Sequence, residues 1–167
     1  KGTTPMRKIK RFKIPSRQRE ILRKLLRELP LLRRDGFASE AEVTAFILAI
    51  FKLLDPGVVY EFNQDAHWEL DAESIIHKEM FSACAVTLGG QIEPFLQTLT
   101  NEDRKTAAMI VLLEFLRSAV TFVADLVKEQ AQKEEFDTLD LQFVYLPPFG
   151  AAVAPKLLRE AVRLENT

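Results

Sequence analysis

Asp65, His67, Glu69, Asp71, Glu73 and His77 fall within thirteen positions of this 167-residue chain. In an extended loop Asp65, His67 and Glu69 project on one side at period two, while Glu73 and His77, four apart, share one face of a helix. Imidazole and carboxylate donors so arranged could hold a divalent cation. The spacing is not that of a di-iron bundle, because Ser74 stands three before His77 where a Glu would be needed. The competing reading is a solvated acidic loop followed by an i, i+4 Glu–His pair.

Other chemistry is argued against by spacing. Trp68 follows His67 and Lys78 follows His77, which excludes the His-Glu-x-x-His zinc helix. Gly89-Gly90 is the one close glycine pair, so no Walker loop or dinucleotide fingerprint is present, and no Ser is flanked by Gly two residues away on both sides. Cys84 sits among Ser82, Ala83 and Ala85 and reads as an inert buried thiol on a helix, with no His at helical spacing to activate it. Trp68 reads as a core or loop anchor. These patterns favour a non-enzymatic protein with no cofactor; a metal-dependent enzyme built on Asp65, His67, Glu69, Glu73 and His77 is the alternative.

Charge is distributed unevenly. Thirteen of twenty-three basic residues lie between Lys1 and Arg34, against Glu20 and Glu28 alone, giving that stretch +11; the remainder, with ten basic and twenty-two acidic residues, carries −12. The overall −1 hides this polarity. The residues that could meet a polyanion or a protein partner are Arg7, Lys8, Lys10, Arg11, Lys13, Arg17, Arg23, Lys24 and Arg27, with Phe12 as a stacking residue.

Three uses compete. The segment could bind nucleic acid. It could lie on an anionic membrane surface or in a partner's groove. Or it could pack its Leu stripe within its own domain or a twin subunit, its charge answered by Glu61, Asp65, Glu69, Asp71, Glu73, Glu129, Glu134, Glu135, Asp137 and Asp140. The third is favoured, since these acids suffice to neutralise the segment. An Arg-rich, acid-poor amphipathic start also matches an organellar targeting peptide, a minor alternative. A single cysteine and no secretory signal point to a cytoplasmic, reducing setting.

The elements that would position these residues are mostly helical. Residues 1–15 read as a basic extended arm that stops at Pro15, and 16–167 as one helical domain. Ser16 is expected to cap a first helix to Leu29, with Ile21, Leu22, Leu25, Leu26 and Leu29 within an arc of about 140°. Ser39 and Glu42 form a capping box for a helix to Leu54 that should be buried on nearly every side. Val58–Phe62 reads as a short extended piece, with Val58, Tyr60 and Phe62 on one side. Asp71 is expected to cap a third helix ending at Leu88, with Gly89 at its C′ position.

A short helix over Gln91–Leu99 tolerates Pro94 in its first turn. Thr100 and Asp103 are then expected to cap the longest helix, to about Lys133. Its polar stripe, with Glu114, Arg117, Thr121 and Asp125, should face solvent, and its broad apolar face calls for two neighbours or an oligomer interface. Thr106–Val127 is long enough to span a bilayer, but Glu114, Arg117 and Asp125 argue against it, at about 2.5–3.5 kcal/mol each near the bilayer centre. Leu139–Leu146 suits a strand or strap, and a last helix starts near Pro155. The class is mainly α: a single-domain bundle of five or six helices, with a minimal sheet from the pieces near 9–14, 58–62 and 139–146. Self-association into a homo-oligomer is expected.

Overall fold

The computed structural model describes residues 7–29, 36–69 and 75–135. Its elements in chain order are β1 (Arg7–Lys10), α1 (Gln18–Glu28), α2 (Glu40–Leu53), β2 (Gly57–Glu69), β3 (Ile75–Thr87), α3 (Ile92–Thr98) and α4 (Glu102–Lys133). The class is mainly α, with a small antiparallel sheet in the order β1-β2-β3. Four helices stand among the described residues instead of five or six. The segment expected as a third helix is strand β3, and the expected strap at 139–146 and last helix near Pro155 lie outside the described residues.

The β3 correction has a physical cause. Ile75, Ile76, Phe81, Val86 and Thr87 are β-formers, while Ala83 and Ala85 favour a helix, so local preference is divided and the choice falls to whichever partner is present. Here β2 runs to Glu69, far past the expected five residues, and is the hydrogen-bonded neighbour of β3. Gly89 does have positive φ, 109°, but it closes no helix. It lets the chain pass the backbone of Asp55, whose N–H donates to the Leu88 carbonyl at 2.9 Å. A Cβ on Gly89 would come within 2.9 Å of the Asp55 nitrogen.

Packing divides the chain into two compact units. One holds α1, α2, α3 and α4 as far as Thr121; the other holds β1, most of β2 and β3, and α4 from Phe122.

In the helical unit, α2 starts as its sequence dictates. The Ser39 side chain accepts from the Glu42 N–H at 3.2 Å, and the Glu42 carboxylate accepts from the Ala38 N–H at 2.7 Å, so the box closes one residue further out than usual. Val43, Phe46, Ile47 and Ile50 are buried, but Ala41, Ala45, Ala49 and Lys52 form an exposed stripe, so α2 is not enclosed all round. Helix α1 begins later than expected. Arg17 is its N-cap, in a left-handed conformation with φ 41°, and its carbonyl takes the first helical bonds, leaving the Ser16 hydroxyl one position too early to cap.

Asn101, not Thr100, caps α4: its side-chain oxygen accepts from the Arg104 N–H at 2.9 Å. The Phe51 and Phe115 rings are 5.5 Å apart between α2 and α4, and Phe46 meets Phe95 of α3 at 6.0 Å. Leu25, Ile47, Ile50, Val43, Leu112 and Phe115 are fully buried here, each worth roughly 1.5–3 kcal/mol of transfer free energy.

In the other unit, Val58, Val59 and Tyr60 are all buried, so both faces of β2 are covered at its start. This differs from the one-sided burial that alternation implies. Arg7 of β1 donates from Nη1 to the Gln130 side-chain oxygen of α4 at 2.8 Å.

Candidate functional site

The basic segment is shaped by one backbone irregularity. In β1 the exposed residues are Lys8 and Lys10; strict alternation would continue outward at Phe12 and Ile14 and turn Arg11 and Lys13 inward. Arg11 instead adopts φ 57° and donates its N–H to the Pro56 carbonyl at 2.9 Å. The alternation restarts one residue later, so Phe12 (8 % exposed) and Ile14 are buried while Arg11 and Lys13 face water. Phe12 is therefore a core residue, and the expectation that it stacks on a base is overturned.

On α1 the apolar side is already occupied. Ile21 and Leu25 are 3 % and 0 % exposed in the protein's own core, and α1 packs on α2. Arg17, Arg19, Arg23 and Arg27 are exposed. Beyond its own Glu20 and Glu28, the segment's ion pairs among the described residues are Arg11 with Asp55 at 3.5 Å and Lys24 with Glu114 at 2.5 Å. Neither acid was among those expected to neutralise it. Of those, Glu129 pairs with Lys133 within α4, and Glu134, just past its end, accepts from Gln130 of that helix. The side chains of Glu61, Asp65 and Glu69, and Asp71, Glu73, Asp137 and Asp140 altogether, lie outside the described residues.

The Lys24–Glu114 contact corrects a second expectation. Glu114 does bond Arg117 one turn on, at 2.6 Å, but its side chain is only 13 % exposed because α1 lies over it. Burial pushes the Glu114 carboxyl up, yet the hydrogen bond and charge of Lys24 and those of Arg117 outweigh it, and the pKa falls below the ordinary 4.5.

A second charged cluster ties the start of α4 to α2. Arg104 donates from Nε to the Gly36 carbonyl at 2.8 Å and from its terminal nitrogen to Glu42, with its guanidinium 4.7 Å from the Phe37 ring centre. Phe37 meets Phe46 edge-on at 5.2 Å. The backbone bond from Ala38 and then Arg104 lower the Glu42 pKa. Nothing in the sequence marked Arg104, because its partners are 62 and 68 positions away.

The metal candidates that are described lie on two neighbouring strands and not on a loop and a helix. Asp65, His67 and Glu69 lie on β2 and His77 on β3, so His77 does not share a helix face with Glu73. The side chains of those four, and Glu73 as a whole, lie outside the described residues. Among the described residues, no three His, Cys, Asp or Glu side chains come together as a metal site.

Cys84 is on a strand and exposed, not buried on a helix. Protein crowded against one side desolvates the thiol and raises its pKa above the ordinary 9.0, more than its 3.6 Å contact with Ser82 offsets. Arg11, Lys52, Asp55, Gly90 and Gln91 line a shallow open cleft of about 270 Å³.

Helix α4 is long and apolar enough to cross a membrane by length and composition, and 39 % of its most apolar window is buried. Within the helical unit the fully buried line is Ala107, Ala108, Val111, Leu112, Phe115 and Ala119. Met109, Leu113, Leu116 and Val120 form a parallel apolar row that is half-covered.

No family model matches this chain, and no curated protein is significantly similar to it.

Proposed function

We propose that this chain is a non-enzymatic, mainly helical interaction domain that self-associates through α4. The observation that carries the reading is the row Met109, Leu113, Leu116 and Val120. Its spacing of four, three and four is that of a two-helix seam, and its side chains are half-covered beside a line that the protein's own core already buries fully. Large apolar side chains left part-exposed beside a satisfied core gain most from a second apolar surface. A second copy of α4 offers the same row in return, as twofold association requires.

On this reading the domain acts without a cofactor, in the cytoplasm. The polarity of the chain is answered in part internally, through Asp55 and Glu114. Sedimentation equilibrium of the wild type and of Leu113→Glu/Leu116→Glu is the test. A wild-type dimer that becomes a folded monomer in the variant supports the reading. A wild type that stays monomeric at high concentration overturns it, as does a variant that still dimerises.

A further inference from the structure

Three guanidinium groups on α1 have no part in the described packing. Arg19, Arg23 and Arg27 recur every four residues, so they stand in one row on the helix, about 6 Å of rise apart. All three are exposed. Among the described residues Arg19 and Arg23 have no carboxylate within ion-pair reach, and Arg27 has only Glu28, 3.7 Å away and shared with Lys24 at 3.9 Å.

The row is costly to the helix itself. Like charges at i, i+4 repel, and Arg19 lies in the first turn, where positive charge opposes the helix dipole.

We infer that this row binds the phosphate backbone of nucleic acid. All three positions are Arg, whose planar fork meets a phosphate with two parallel bonds where Lys offers a point charge. A phosphodiester chain presents charge at a regular step, which an evenly spaced row matches along its length. Two other occupants fit less well. An amphipathic helix that inserts in a membrane needs its apolar face free, and Ile21 and Leu25 are already committed to the core. Recognition of unpaired bases by stacking needs an exposed aromatic near the row, and Phe12 is buried. What remains is contact with the backbone alone, independent of sequence. This site is separate from the α4 row, and neither proposal depends on the other.

The test is fluorescence anisotropy of the full chain with a labelled DNA duplex of arbitrary sequence, titrated with salt. Three phosphate contacts predict a slope of log affinity against log salt of about −2.7, roughly a 40-fold loss between 50 and 200 mM. Arg19→Gln/Arg23→Gln/Arg27→Gln should remove the binding while circular dichroism stays unchanged. Should the triple variant misfold, Arg23→Gln alone serves, and it should shallow the slope by about 0.9. Three outcomes overturn the inference: no binding at 50 mM salt, a slope unmoved by the substitutions, or equal competition by polyglutamate, which would assign the row to an acidic protein.

Discussion

Lys24 and Glu114 stand 90 positions apart in the chain, yet the Lys24 Nζ lies 2.5 Å from the Glu114 Oε1 and fastens α1 across α4. The lysine is 24 % exposed and the carboxylate 13 %, so both charges are partly withdrawn from water and each depends on the other. Arg117 supplies a second bond to the same oxygen from within α4. Lys24 is thereby part of the fold, unlike the exposed Arg17, Arg19, Arg23 and Arg27 of the same segment.

Lys24→Met should destabilise the protein by about 1–3 kcal/mol in urea unfolding, because Glu114 keeps Arg117 but loses its bond to α1. Lys24→Met/Glu114→Leu should recover much of that loss, since a part-buried pair replaced by apolar groups is often close to neutral. A double variant as unstable as the sum of the two single ones would mean that the pair is not coupled.

Stability should fall in acid. Glu114, Glu42 and Glu129 all have folded pKa values below the ordinary 4.5. Depressed carboxyls stabilise the fold fully above the unfolded value and lose that contribution as pH drops through the folded one. The urea midpoint should therefore hold between about pH 7 and 5 and decline below about 4.5, with a shallower decline in Glu114→Gln. A midpoint that rises on acidification would contradict the sign.

Two local geometries set the register around α2. Ser39→Ala removes the acceptor for the Glu42 N–H and should cost about 1 kcal/mol, whereas Ser39→Asp should be tolerated. Gly89→Ala combines a positive φ with a Cβ 2.9 Å from the Asp55 nitrogen and should cost more than Ser39→Ala. Thermal unfolding of the two variants, side by side, gives the ranking.

Cys84 should be reachable but slow. The residue is exposed but its thiol is partly desolvated and its pKa raised, so iodoacetamide should modify it to completion in the folded protein, more slowly at pH 7 than a model thiol, and faster as pH rises past about 9. Protection of the thiol at high pH would place it inside the protein instead.

Helix α2 was legible almost to the residue because its signals are local: Ser39, Glu42 and the Asp55-Pro56-Gly57 turn lie within reach of the backbone groups they act on. The end of α4 and the short α3 around Pro94 were legible for the same reason. The stretch 75–87 was misread because its local preferences are divided, and β2, the partner that decides, begins eighteen positions earlier. The candidate surface was legible as a set of charges and no further. Which of them face water turned on the left-handed Arg11, where φ 57° in a residue other than glycine carries no signature in composition or periodicity.

By itself the sequence determined the mainly helical class, the caps and breaks of α2, and the separation of positive from negative halves. These follow from periodicity and side-chain chemistry acting over a turn or two of chain. Tertiary structure alone decided that Phe12 and Ile14 go inside, that Lys24 turns to Glu114 while Arg19, Arg23 and Arg27 stay in water, and that Met109, Leu113, Leu116 and Val120 remain half-covered. Each of these outcomes depends on which distant segment lies against the side chain in the folded protein. Burial and ion pairing are properties of neighbours in space, and the chain order does not specify them.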